Sequence, residues 1–214
     1  MSEEKSLEER RAALDTIAQQ IRQCQACPLH SARTRTVPGA GRADAEIMFI
    51  GEAPGYHEDQ QGLPFVGASG KYLSELLAQI GLGRNDVFIT NVVKCRPPGN
   101  RDPLPVEINT CVPAYLEKQI EIINPKIIAT LGRFSMSLFF PKNARISKIH
   151  GQPRKADGRI YYPLYHPAAV LRNPNLRSVM EADFKRMTEL LEEVKQAGGH
   201  IDEPPPPPKQ LSLF

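Results

Sequence analysis

The chain is expected to fold as an α/β protein whose parallel sheet is covered on both faces by helices. Three observations predict this. Short apolar runs alternate with helical stretches along most of the 214 residues, which is the pattern of consecutive βαβ units. Unusual residues follow directly on each apolar run, where the carboxyl ends of parallel strands hold ligands. At 41% hydrophobic residues, a chain of this length buries one core, so one domain plus tails is the default.

The first element is a helix. Residues 7 to 23 place Leu14, Ile17, Ala18 and Ile21 at helical spacing among charged residues, and this helix delivers the chain to Cys24. Glu46-Ile-Met-Phe-Ile50, Val87-Phe-Ile-Thr90, Lys126-Ile-Ile-Ala-Thr-Leu131 and Ile160-Tyr-Tyr-Pro-Leu-Tyr165 read as four strands. Helices are expected between and after them at about 69–81, 106–123, 133–140 and 176–196. The strands run into Gly51-Glu-Ala-Pro-Gly55, Asn91, Gly132-Arg133 and His166-Pro167 respectively. Residues 1–197 are therefore expected to form the domain and 198–209 a Gly/Pro-rich spacer. Residues 210–214 form a terminal peptide. Five prolines, Pro204 to Pro208, extend about 3.1 Å each and hold that peptide roughly 15 Å from the body.

The net charge of +3 permits a basic surface without demanding one, so nucleic-acid binding has to rest on local patches. The polar start, Met1-Ser-Glu-Glu-Lys-Ser, has no apolar stretch of signal-peptide type. No later run approaches the ~20 apolar residues of a membrane span, so a soluble cytoplasmic protein is expected.

All four cysteines stand at Cys24-x-x-Cys27 and at Cys95 and Cys111. A reducing cytosol argues against disulfides and points them toward metal. The two-residue gap lets neighbouring thiolates share a metal or cluster, and the wide second pair suits an iron-sulfur cluster better than a zinc ribbon, which repeats the short gap. Beyond the first strand, Gly51-Glu-Ala-Pro-Gly55 leads through Glu58 and Asp59 to Gly62-Leu-Pro-Phe-Val-Gly67 and Ser69-Gly70. Glycine and proline this dense make a tight loop whose backbone can approach a flat ligand or a phosphate.

With Asn91-Val-Val-Lys-Cys-Arg-Pro-Pro-Gly-Asn-Arg101, His166-Pro-Ala-Ala-Val-Leu-Arg172 and the four cysteines, these motifs make the chain resemble the family 4 uracil-DNA glycosylases. These are the iron-sulfur type of bacteria and archaea. The resemblance runs from about Cys24 to the last helix. It implies a three-layer α/β/α sandwich with a four-stranded parallel sheet, and one 4Fe-4S cluster on Cys24, Cys27, Cys95 and Cys111. No nucleotide cofactor is implied. The expected activity is monofunctional: uracil is released from a flipped-out deoxyuridine and an abasic site remains, which starts base excision repair. The different-class alternative is a non-catalytic metal-cluster DNA-binding module of the same fold. The intact set Phe65, Asn91 and His166 speaks against it.

The resemblance also implies roles that the side chains can perform. Phe65 offers a stacking face worth about 1–3 kcal/mol with little base selectivity, in a uracil pocket that includes Ala53. Asn91 can accept from uracil N3–H while donating to O4, the reverse of what cytosine offers. Rejection of thymine needs a wall near Tyr56, His57 or Glu58. His166 is placed to donate to uracil O2 as negative charge develops, an oxyanion-type contact worth about 3–4 kcal/mol. Ala53 stands where family 1 enzymes carry an aspartate, so Glu52 and Glu58 are the candidate carboxylates for handling water or the sugar cation. Val170, Leu171 and Arg172 could enter the duplex, and Arg172, Lys94, Arg96 and Arg101 could neutralise phosphates. Pro97-Pro-Gly-Asn-Arg-Asp-Pro103 lacks the histidine-ending basic insertion of a branch that captures uracil covalently, so turnover is expected.

The end, Gln210-Leu-Ser-Leu-Phe214, resembles the pentapeptide by which bacterial replication and repair proteins hold the sliding clamp. Gln210 would anchor it by hydrogen bonds, while Leu211, Leu213 and Phe214 would supply apolar contacts. The expected partners are thus uracil-containing DNA and the bacterial sliding clamp, with no membrane and a monomeric protein.

Overall fold

The computed structural model describes residues 5–201. Six strands form one mixed sheet: β1 (Ala40–Gly41), β2 (Ile47–Gly51), β3 (Phe88–Asn91), β4 (Ile127–Leu131), β5 (Arg154–Ala156) and β6 (Arg159–Leu164), in the order β1-β3-β2-β4-β6-β5. The four expected strands are its parallel centre, β3-β2-β4-β6. Two antiparallel edge strands correct the expected count. Both are too short to display an alternating pattern, but Asp157-Gly158 between β5 and β6 is a hairpin turn with positive φ at both residues (54° and 67°).

The centre of the sheet is apolar on both sides, as a parallel sheet between two helical layers requires. Along β2 the side chains alternate between two cores. Ile47 and Phe49 join one core, which also holds Leu73 and Leu77 of α3 (Ala68–Gln79) and Met180, Phe184 and Met187 of α9 (Arg177–Gln196). Met48 and Ile50 join the other, with Leu116, Ile120, Cys95 and Cys111. Phe49 stacks on Phe184 at 5.7 Å between ring centroids. The three-layer sandwich is thus a direct product of the period-2 strand lying between two helical layers.

The amphipathic helix α1 (Leu7–Gln23) starts in a capping box of Ser6 and Glu9. It lies beside α5 (Glu117–Ile123), where the buried Arg10 donates from Nη1 to the Ile123 carbonyl at 2.7 Å. The helix expected over 106–123 is divided into α4 (Pro105–Cys111), a π-helical turn (Val112–Leu116) and α5. Pro113 has no N–H for the regular ladder, and the chain widens by one residue there. The helix expected over 133–140 stops at Ser137 as α6 (Arg133–Ser137).

Short helices α2 (Tyr56–Gln61), α7 (Ile146–Ile149) and α8 (Pro167–Arg172) were not expected from the sequence. Gly55 and Gly62 around α2 look like loop residues, and His166-Pro167 looks like a turn although proline is favoured at a first helical position. Ile201 is buried in the core with α9. The packed body therefore runs past the boundary expected at residue 197. Among the described residues no helix is long and apolar enough to cross a membrane. Residues 210–214 lie outside the described residues.

Candidate active site

In the order β3-β2-β4-β6, successive connections run to opposite sides of β2 and β4. Between these strands lies the switch point where α/β sheets bind ligands. A cleft of about 780 Å³ opens there, lined by Glu52, Ala53, Phe65, Asn91, Arg133 and His166 among others. All four strand ends contribute, so the residues expected at a site between Gly51 and His166 do meet.

The floor of the cleft is set by Gly51. In the ladder Gly51 lies opposite Asn91, and a Cβ on it would come within 2.3 Å of Asn91 Oδ1 and 2.6 Å of the Phe65 ring. Glycine there lets both side chains share the floor. Asn91 is 1% exposed, and its Oδ1 is a buried acceptor with no hydrogen-bond partner among the described residues. A buried orphan acceptor is costly, on the order of 1–3 kcal/mol. The Phe65 ring lies 5.8 Å from the His166 ring, tilted by 31°.

His166 caps the N-terminus of α8. Its Nδ1 accepts from the Ala168 N–H at 3.1 Å, which leaves the ring proton on Nε2. Burial first, and Arg172 second, push its pKa down to about 4, against a smaller pull from Glu58. At neutral pH the imidazole is uncharged and a donor at Nε2.

The two candidate carboxylates differ in their surroundings. Glu58 Oε1 accepts from the Val66 and Gly67 amides at 2.8 and 2.9 Å, and Oε2 accepts from the Gly55 amide at 3.1 Å. Glu52 is half-buried in the cleft wall. Desolvation raises its pKa, Asp102 adds to the rise, and Arg133 opposes it.

The four cysteines also come together. Cys24, Cys27, Cys95 and Cys111 line one small apolar chamber with Ile21 and Leu29. Burial raises the thiols of Cys27 and Cys111 and pushes Cys95 up to about 11, and a bound metal would favour their deprotonated forms. Among the described residues no Cys, His, Asp or Glu group converges tightly enough to hold a single metal ion. Four cysteines lining one chamber are a donor set that suits a soft metal or an iron-sulfur cluster. Arg33, which sequence reasoning passed over as one basic residue among many, donates from Nη1 to Cys95 Sγ at 3.2 Å and from Nη2 to the Cys24 carbonyl at 2.7 Å.

The family model of the Uracil DNA glycosylase superfamily matches residues 38–195. The chain belongs to that superfamily. It is 51% identical over 187 residues to the type-4 uracil-DNA glycosylase of Sulfurisphaera tokodaii, covering 83% of this chain and 84% of that one. The type-4 uracil-DNA glycosylase of Archaeoglobus fulgidus is 49% identical over 186 residues, covering 83% and 93%. That of Thermotoga maritima is 43% identical over 181 residues, covering 83% and 94%. The family resemblance carried by the separated motifs agrees with these matches.

Seen as a member of the superfamily, the rim of the cleft divides the expected DNA-contacting residues. Helix α8 turns Leu171 outward at 49% exposure and Val170 into the core at 3%. Val170 is therefore not free to enter a duplex, and of the expected apolar wedge only Leu171 is exposed. Arg172 is exposed on the same helix, its Nε donating to the Ala168 carbonyl. Lys94 is corrected in the same way. It is 1% exposed, and its Nζ donates to Thr90 Oγ1, the Asn91 carbonyl and Gln119 Oε1 at 2.6, 2.8 and 2.8 Å, while burial lowers its pKa to about 7. It cannot reach a phosphate. Arg101 makes a two-pronged ion pair with the buried Glu107 at 2.6 and 3.0 Å. Arg96 bonds Asn100 and lies 5.2 Å over the Tyr56 ring.

Proposed function

We propose that the protein is a monofunctional uracil-DNA glycosylase. Its named relatives are type-4 uracil-DNA glycosylases. The single observation that carries the reading is Asn91 Oδ1, an acceptor kept buried and, among the described residues, unpaired beside an aromatic ring in the cleft. Such an orphan costs stability unless a ligand donor meets it, and uracil N3–H is that donor. The side-chain amide then donates to O4. Cytosine presents a bare N3 and an amino group at the same positions and is refused.

Excision breaks the bond between C1′ and N1, and its electron pair leaves with uracil. His166 Nε2–H faces the negative charge that gathers on O2, and because the ring is neutral it stabilises the anion without donating a full proton. Glu52 supplies the negative charge that faces the sugar cation and receives the proton of the water that bonds to C1′. Glu58, with both oxygens accepting backbone amides, holds the loop that carries Phe65. Leu171 fills the space left by the flipped nucleotide, and Arg172, with Arg96 and Arg101 at the loop opposite, contacts phosphates. Incubation with a uracil-containing oligonucleotide, followed by alkali, tests the proposal. Strand cleavage is expected, and its absence with metal-replete protein would refute the enzyme reading in favour of a DNA-binding module.

The cysteine chamber is assigned one 4Fe-4S cluster on Cys24, Cys27, Cys95 and Cys111. When bound, the cluster supplies a structural cross-link between the N-terminal segment and the loop after β3. The protein is assigned to the cytoplasm as a monomer. Gln210, Leu211, Leu213 and Phe214 are assigned to the sliding clamp. A pull-down with purified clamp, comparing the full chain with one ending at residue 209, should show binding by the full chain alone.

A further inference from the structure

Phe65 stands in the left-handed region at φ 51°. For a bulky residue that conformation costs on the order of 1–3 kcal/mol and persists only where neighbours impose it. Three neighbours do. Glu58 takes the amides on the C-terminal side of Phe65, those of Val66 and Gly67. Gly70, in the first turn of α3, packs so closely that a Cβ there would fall 1.8 Å from the Phe65 carbonyl oxygen. The third is Arg84, in the turn before β3. Its Nη1 donates to the Phe65 carbonyl at 3.0 Å and its Nη2 to the Pro64 carbonyl at 2.6 Å.

The guanidinium is half-buried, and burial lowers its pKa while Glu58 opposes the shift. Two parallel N–H donors on a rigid plane match two successive carbonyls, a match that the single ammonium of lysine cannot copy. Arg84 touches neither cleft nor base. Its effect passes through the peptide that decides where the Phe65 ring lies, over Gly51 and beside His166.

We propose that Arg84 is a positioning residue for base stacking: its fork and the Glu58 carboxylate grip opposite sides of the Phe65 segment and hold the ring in a conformation the chain would otherwise leave. The inference rests on reading Phe65 as the stacking platform. It assigns a role in the reaction to a side chain outside the cleft.

A double-mutant cycle with single-turnover excision of uracil as the readout tests it. R84M is expected to slow excision by a factor approaching 10², the scale of a ring misplaced by about 1 Å, with R84K intermediate. Binding to DNA carrying an uncleavable abasic analogue should be unchanged in both variants. In an F65A background R84M should cost little more, because both changes remove the same contact. Wild-type excision by R84M, or a full multiplicative loss in the double variant, would overturn the role of Arg84. Wild-type excision by F65A would instead overturn the stacking role of Phe65, so the two failures are distinguishable. If R84M does not fold, R84K carries the same cycle with the same criteria.

Discussion

The cysteine chamber and the cleft flank one loop and are built on opposite principles. Cys95 and Cys111 close the chamber at the two ends of that loop, while Pro97, Asn100 and Arg101 within it line the cleft. Inside the loop, buried Glu107 accepts from both arms of Arg101 and from the Leu104 amide, and Arg101 holds its carboxyl below the usual range. The chamber is apolar and is lined by all four cysteines. The cleft holds an Asn91 oxygen that is unpaired among the described residues, and an imidazole held neutral. Stability and chemistry are thus assigned to neighbouring but separate sets of side chains, joined by one loop whose shape both need.

The contrast is broken most severely at the cysteines. Replacing Cys95 and Cys111 together by alanine should remove iron from the purified protein and abolish folded, active protein, as metal analysis and circular dichroism would report, because metal-binding energy is folding energy. In the cleft the two properties should separate. Asn91→Ala and His166→Ala are each expected to slow excision by about 10²–10³, with Tm little changed in the first and lowered in the second only by the lost α8 cap, a loss of about 0.5–2 kcal/mol. Asn91→Ala should even tend to raise Tm, since it removes an unsatisfied group. A fall in Tm parallel to the loss of rate would show that cleft and scaffold are not separate.

A smaller effect concerns pH. His166 has a folded-state pKa of about 4 against an ordinary value of 6.5. The unfolded chain therefore binds more protons between those values, and the stability that His166 contributes is complete above pH 6.5 and lost as pH falls toward 4. His166→Asn keeps a helix cap and removes the titration. Its Tm should fall less between pH 6.5 and 4 than that of the wild type. The excision rate of the wild type should show no inflection from His166 near pH 6.5.

The smallest expected differences lie on one helix. Val170→Ala should cost about 1–2 kcal/mol of stability through a core cavity, read as a shift in denaturant midpoint, with excision by the remaining folded enzyme intact. Leu171→Ala should leave stability unchanged and weaken excision from duplex more than from single-stranded DNA, where no partner base has to be replaced. Equal effects on both substrates would remove the wedge role.

The central strands were legible because a strand buried on both faces is an uninterrupted apolar run, and the residues after each run carried the site. Phe65, Asn91 and His166 stood out by their place at strand ends or in a glycine-rich loop. Other features gave no such signal. β1 and β5 are two and three residues long. Val170 and Leu171 are neighbours of similar character, and only the rotation of α8 decides which faces the core. Lys94 is one basic residue in a basic segment until burial shows it is internal.

By itself the sequence determined which chemical groups are present and the succession along the chain of the strands that carry them, because uninterrupted apolar runs, cysteine spacing and strand-end motifs are local patterns. The tertiary structure decided how those groups are held. Arg84 meets Phe65 across 19 residues, Gly51 makes room for two side chains from other segments, and His166 owes its neutrality to burial and to Arg172. The first two depend on distances between segments separated in the chain, and the third on how deeply α8 and its cap are packed. Local spacing carries no information about them.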